Sequence, residues 1–150
     1  MATWSQFEVE APELAALVRA AFEVGKHCTM ATIRADGGPR ISGTEVEFTD
    51  QGVFIGTGQG ARKTLDLVRD PRLAIHSPTR DPAPDGSWVG EAKITGEVVQ
   101  VPVPDSYPPG AMRFRIDLSS AVFTGLTADG KQLRIELWRP GRPTETMVRS

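Results

Sequence analysis

FIGTGQGARKTLDLVRDP, residues 54 to 71, opens like an apolar strand, passes Gly56, Gly58 and Gly60, meets Arg62 and Lys63, and ends at Pro71. Between the cations and the proline, Leu65 and Val68 recur at helical spacing. That predicts a short helix over Ala61 to Arg69 with those two side chains as its buried stripe. Glycine costs backbone entropy wherever it is fixed. A cluster directly ahead of a helix start fits either a flexible strand-to-helix loop or backbone amides that approach an anion closely.

The letters from Gly56 to Ala61 match the dinucleotide fingerprint G-x-G-x-x-G/A and lie between a strand and a helix. The surroundings exclude that reading: the helix is short, and the neighbouring strands are joined by tight turns instead of a βαβ series. A phosphate-binding P-loop fails as well, because Arg62 stands where that motif needs glycine before its lysine. What remains is the physics of a helix start, whose free N–H groups favour an anion. Arginine suits bidentate phosphate contact, and lysine serves as a point charge. Arg62 and Lys63 are either a solvated surface pair or an anion site, and the glycines together with the helix start favour the anion.

Outward from this stretch the hydrophobic period is that of strands. CTMATIRA, an Asp36-Gly37-Gly38 turn and PRISGTEVEFT read as a hairpin, and Asp50-Gln51-Gly52 turns into a third strand, VFIGT. After the short helix come RLAIHSPT and a long strand, SWVGEAKITGEVVQV, with bends or bulges expected at Gly90 and Gly96. RFRID with SSAVFTGL, an Ala128 to Lys131 turn and QLRIELWRPG supply the last strands. RDPAPDG and PVPDSYPPG are too rich in proline to be core. At the other end, Leu14, Leu17, Val18, Ala21 and Phe22 predict a helix over residues 12 to 24 with Gly25 as its stop. The fold class expected is mainly β with minor α: an antiparallel barrel, closed or nearly so, with an N-terminal helix and a short helix after the third strand.

A chain of 150 residues suits one domain spanning 1–150. A net charge of −2 argues against general nucleic-acid binding, so any anion site is local. Cys28 is the only cysteine, which excludes an internal disulfide and a thiolate metal cluster. It reads as a buried structural thiol, His76 as a satisfied strand histidine and His27 as a surface residue. Without an apolar run that spans a bilayer or a basic-then-apolar leader, the expected location is cytoplasmic. No nucleophile triad or paired-carboxylate pattern stands out, so the catalytic residues stay unknown.

The ordered set ATIRADGGPRIS, a strand ending near Thr57, ARK, and a short helix closed by RDPRLAIHS resembles the FMN-binding split barrel of the pyridoxamine 5'-phosphate oxidase-like superfamily. It is most similar to the short actinobacterial flavin- and deazaflavin-dependent oxidoreductases. The resemblance implies a homodimer with the cofactor in a groove at the subunit interface. That cofactor is 8-hydroxy-5-deazaflavin (coenzyme F420) or FMN, with the deazaflavin preferred. It also implies that the strand with Arg40, Ile41, Ser42, Gly43 and Thr44 lies along the flavin, that Gly56 and Thr57 contact it, and that Arg62 and Lys63 hold its phosphate.

Strand alternation sets Ser42 and Thr44 on one face as polar contacts for a ring edge. Gly43 on the other face fits either close backbone approach or a bulge. An extended basic groove for the acidic tail of the deazaflavin would need Arg34, Arg40, Arg62 and Lys63 to converge. Trp138 fits a tryptophan that flanks the flavin in the true oxidases, or a half-buried aromatic on the last strand. Arg149 fits the closing arginine of those enzymes. The Arg-x-His clamp that holds their substrate has no match in Thr144 to Val148, and Glu45 stands where they carry lysine. Vitamin B6 oxidation is therefore not expected. The function implied is hydride transfer between the bound cofactor and a small conjugated organic substrate. The alternative is a protein that stores the flavin-type cofactor or haem without turnover.

Overall fold

Antiparallel pairing dominates the computed structural model, which describes residues Met1–Ser150. The strands are β1 (Cys28–Ile33), β2 (Pro39–Thr44), β3 (Val46–Thr49), β4 (Gly52–Thr57), β5 (Arg72–His76), β6 (Glu91–Val101), β7 (Met112–Leu126), β8 (Leu133–Trp138) and β9 (Glu145–Arg149). Three helices, α1 (Trp4–Glu10), α2 (Pro12–Phe22) and α3 (Arg62–Arg69), accompany them. The ladder runs β2-β1-β5-β6-β7-β4-β3, with β8 on β7 and β9 on β8. The expected class, mainly antiparallel β with minor α, is the observed one.

Both ends of that ladder come from one stretch of chain. β2 pairs with β1 as far as Thr44 opposite Cys28. Past Glu45 the chain continues as β3 and pairs with β4 from Val46 opposite Ile55. No ladder joins β2 to β4. The barrel is therefore split along a seam whose margins are joined covalently at Glu45 and by no backbone ladder. This is the split barrel that the resemblance implies, where the number of strands alone favours a closed or nearly closed one. It also divides the strand expected over residues 39 to 49, so the short helix follows the fourth strand and not the third.

Inside, Met30, Val53, Ile55, Ile75, Ile94, Ile116 and Leu118 are fully buried from five strands. Alternation along each strand sends these residues to one face, as a two-residue period requires. At Gly96 the β6–β7 register shifts, and a Cβ there would stand 1.9 Å from the carbonyl oxygen of Asp117. The bulge expected at this glycine is thus a close strand approach that no side chain permits.

The N-terminal region departs from expectation. The helix expected over residues 12 to 24 is α2, which ends at Phe22 with Glu23 as its C-cap, ahead of Gly25. A further helix, α1, precedes it. Thr3 caps α1 by accepting a hydrogen bond from the Gln6 amide at 3.1 Å, and Trp4 and Phe7 are buried one turn apart. The Thr3-x-x-Gln6 capping pattern was the available signal. Phe7 stacks on Trp138 at 4.4 Å between ring centroids, while Trp4 meets Phe48 edge-on. This aromatic layer closes the barrel end beneath α1 and α2. At the C-terminus, β9 was not anticipated; it pairs only with β8, and every residue in it is exposed.

Candidate cofactor site

α3 does not turn the expected face inward. Leu65 and Val68 are 55% and 62% exposed, whereas Thr64, Asp66 and Leu67 are buried. Polar bonding decides the rotation. The Asp66 carboxylate accepts hydrogen bonds from Thr32 Oγ1 at 2.7 Å and Arg40 Nε at 2.6 Å, and pairs with Arg69 at 3.3 Å. Thr64 Oγ1 donates to the Gly58 carbonyl at 3.3 Å. Burying a carboxylate without such partners would be far costlier than exposing two aliphatic side chains. The Arg40 guanidinium, with help from Thr32 and Arg69, holds the Asp66 pKa down at about 2 despite burial.

With α3 fixed in this way, Arg62 and Lys63 form its first turn. Ala61 at the N-cap offers no side-chain acceptor, so the first backbone N–H groups remain open to an anion. Arg62 is exposed. Lys63 reaches across to β2 and donates to the Gly43 carbonyl at 2.6 Å, which uses one of its three donors. A Cβ built on Gly58 or Gly60 would meet nothing within 4 Å, so the loop backbone ahead of the helix is open to close approach.

Two hollows lie along the seam. One, of about 320 Å³, is bordered by Gly43, Thr44, Lys63 and His27; the other, of about 600 Å³, by Tyr107, Phe22, Lys26 and Glu47. They share Glu45 and Gly56, so together they make one trough that crosses the split. Thr44 on its border and Thr57 at the end of β4 are 7% and 5% exposed, yet neither Oγ1 has a hydrogen-bond partner. Buried hydroxyls without partners cost free energy unless a ligand satisfies them.

No family model and no curated protein matches the sequence. Solved structures do. PhzG from Burkholderia lata 383, crystallised with tetrahydrophenazine-1-carboxylic acid, matches over 95% of this chain and 90% of its own, with a TM-score of 0.63 at 15% identity. A pyridoxamine 5'-phosphate oxidase-related, FMN-binding protein from Nostoc punctiforme PCC 73102 matches over 93% and 96%, with a TM-score of 0.62 at 10% identity. An F420 reductase matches over 69% of this chain and 94% of its own, with a TM-score of 0.53 at 15% identity. The fold is the FMN-binding split barrel.

Within this split barrel the expected site residues divide. Gly43, Thr44, Gly56 and Lys63 border one hollow, Thr57 lies buried at the end of β4, and Arg62 stands in the adjoining helix turn. Ser42 points inward with Arg40 and Thr44, on the strand face opposite Gly43, so it does not share the bare side of that glycine. Ile41 shares the outer face with Gly43 and is 75% exposed. Arg40 is committed to Asp66 and is no free cation for a ligand, which removes it from an extended basic groove. Trp138 is 0% exposed and stacked in the core on Phe7, which corrects its expected place beside a ring.

The barrel also brings in residues that the sequence did not single out. His27, read as a surface residue, is exposed but borders the Lys63 hollow. Tyr107 covers Gly56; a lone aromatic between prolines in an otherwise polar loop was the signal for it. His76 is satisfied as expected, with Nδ1 at 2.7 Å from the Ser77 carbonyl and Nε2 at 3.5 Å from Glu91. Cys28 is buried, and that burial pushes its thiol up to about 11. No group of three or more His, Cys, Asp or Glu side chains is placed to hold a metal ion, and no helix is long and apolar enough to cross a membrane.

Proposed function

We propose that this split barrel binds a flavin-type cofactor without a covalent bond and uses it to move hydride to or from a small conjugated organic substrate. The observation that carries the reading is the trough floor. Lys63, Thr44 and the bare backbone of Gly43 border one hollow beside the uncapped start of α3, and the Thr44 hydroxyl buried beneath it has no partner. That donor set fits a phosphate-bearing planar ring: two cations and open amides for the phosphate, hydroxyls for ring heteroatoms, and a glycine on which a ring lies flat. The cofactor supplies the hydride chemistry when bound. Arg62 and the free donors of Lys63 anchor the phosphate, and Thr44 and Thr57 donate toward the ring edge. The deazaflavin is preferred to FMN.

The site is completed by a second copy of the chain. α3 and β2 leave Leu65, Val68 and Ile41 in water, and β9 lies against nothing but β8. Apolar side chains exposed beside a binding trough fit an isologous interface.

The test is the visible absorption spectrum of the purified protein, followed by fluorescence titration of ligand-free protein with FMN and with the deazaflavin. Tight binding of one, and substrate-dependent reoxidation once it is reduced, support the oxidoreductase. Binding without turnover favours the storage reading. Binding of neither by a folded protein overturns both.

A further inference from the structure

Gly43 and Gly56 stand on opposite margins of the seam and differ in one respect. A Cβ on Gly43 would meet nothing within 4 Å. A Cβ on Gly56 would stand 3.0 Å from Cε2 and 3.1 Å from the hydroxyl of Tyr107. The outer edge of the phenol thus sits directly on the β4 backbone, at the point where the two hollows meet.

This ring arrives on the segment that links β6 to β7. Residues 102 to 106 and 108 to 110 of that segment are exposed, and Tyr107 alone among them is half-buried. Two tight turns brace it, with the Tyr107 amide donating to Pro104 and the Ala111 amide to Pro108 at 3.0 and 3.1 Å. Near its end the segment also packs on the loop that leads into α3. A Cβ on Gly110 would lie 2.6 Å from Cδ of Gln59, which belongs to the glycine loop ahead of α3. The segment therefore reaches from the larger hollow to the cationic end, with one aromatic side chain turned into the seam. Half-buried with its edge on the Gly56 backbone, the ring still borders the larger hollow, where an aromatic side chain can stack on a planar ligand.

On the cofactor-binding reading above, we propose that Tyr107 is the specificity-determining wall of the trough. A planar conjugated ring lies on the bare backbone of Gly43 and ends against the phenol that roofs Gly56. Ring size along the trough is limited by that side chain, and a wide planar system gains stacking where a compact one does not reach.

The experiment titrates wild type, Tyr107→Phe, Tyr107→Ala and Gly56→Ala with FMN, and reads both Kd and the fluorescence of the bound flavin, with circular dichroism and Tm as controls for folding. Tyr107→Phe keeps the wall and binds within about twofold of wild type, with the same quenching, whereas Tyr107→Ala binds about three- to tenfold more weakly and quenches less. Gly56→Ala shifts in the same direction as Tyr107→Ala, because its new Cβ displaces the ring. Unchanged Kd and quenching in Tyr107→Ala overturn the proposal while leaving the cofactor reading intact. Tighter binding in Tyr107→Ala also overturns it, since the ring would then occupy the ligand's place. If wild type binds neither FMN nor the deazaflavin, the cofactor reading falls and the role of Tyr107 falls with it.

Discussion

Arg40 Nε donates to the buried carboxylate of Asp66 at 2.6 Å, and that bond ties β2 to α3 across the margin of the trough. One end of it sits on the strand that carries Gly43, the other on the helix that carries Arg62 and Lys63. The network explains how a short, exposed helix holds two adjacent cations in place without any salt partner in its own first turn.

Removing it should therefore be costly. Asp66→Ala leaves Arg40 half-buried without its carboxylate and is expected to lower stability by about 3 kcal/mol. Urea unfolding measures this, and the same variant should bind FMN more weakly as α3 loses its register.

The acid limb of stability carries the signature of the same carboxyl. Its pKa falls from about 3.9 in the unfolded chain to about 2 in the folded one. The group is depressed, so its contribution is fully present above about pH 4 and is lost as pH drops toward 2. Unfolding midpoints of Asp66→Asn and wild type should converge across that window and stay apart above it.

Arg62 and Lys63 should matter to ligand and not to fold. Replacing both with Ala removes two charge-assisted contacts and is expected to weaken FMN binding by about 100-fold or more. Tm should change little, because Arg62 is exposed and the one bond of Lys63 lies at the surface. Unchanged affinity by fluorescence titration would remove the phosphate from this helix start.

Trp138 behaves in the opposite way. Trp138→Phe is expected to cost about 1–3 kcal/mol through the gap left against Phe7, with FMN affinity unchanged in the variant that remains folded. A large loss of affinity with normal stability would return this residue to the site.

Leu65 and Val68 test the second copy. Changing both to Asp places two charges on the proposed interface and should shift sedimentation from dimer to monomer. A wild-type protein that is already monomeric at micromolar concentration would refute the interface outright.

These residues also show what was legible in the sequence. Turn chemistry announced the hairpins, and the order of strands and helix around ARK pointed to the split barrel. The glycine loop followed by two cations marked the anion end of the trough. The orientation of α3 was hidden, because hydrophobic spacing weighs Leu65 and Val68 but is blind to the partners waiting for Asp66 on two other strands. Trp138 was ambiguous for a related reason: nothing local shows that α1 will fold over it. His27 and Tyr107 join the trough through contacts distant in sequence, and only Tyr107, a lone aromatic among prolines, carried a local signal.

Because no backbone ladder crosses from β2 to β4, the seam is where two free edges of one continuous sheet face each other. Side-chain bonds tie these edges where a strand ladder does not, Lys63 to the Gly43 carbonyl and Arg40 to Asp66. On the proposed reading, the grip on a ring depends on side chains at these edges more than on the strand ladder. A lineage of such barrels is free to retune what it grips by altering a few side chains there, with the sheet left as it is.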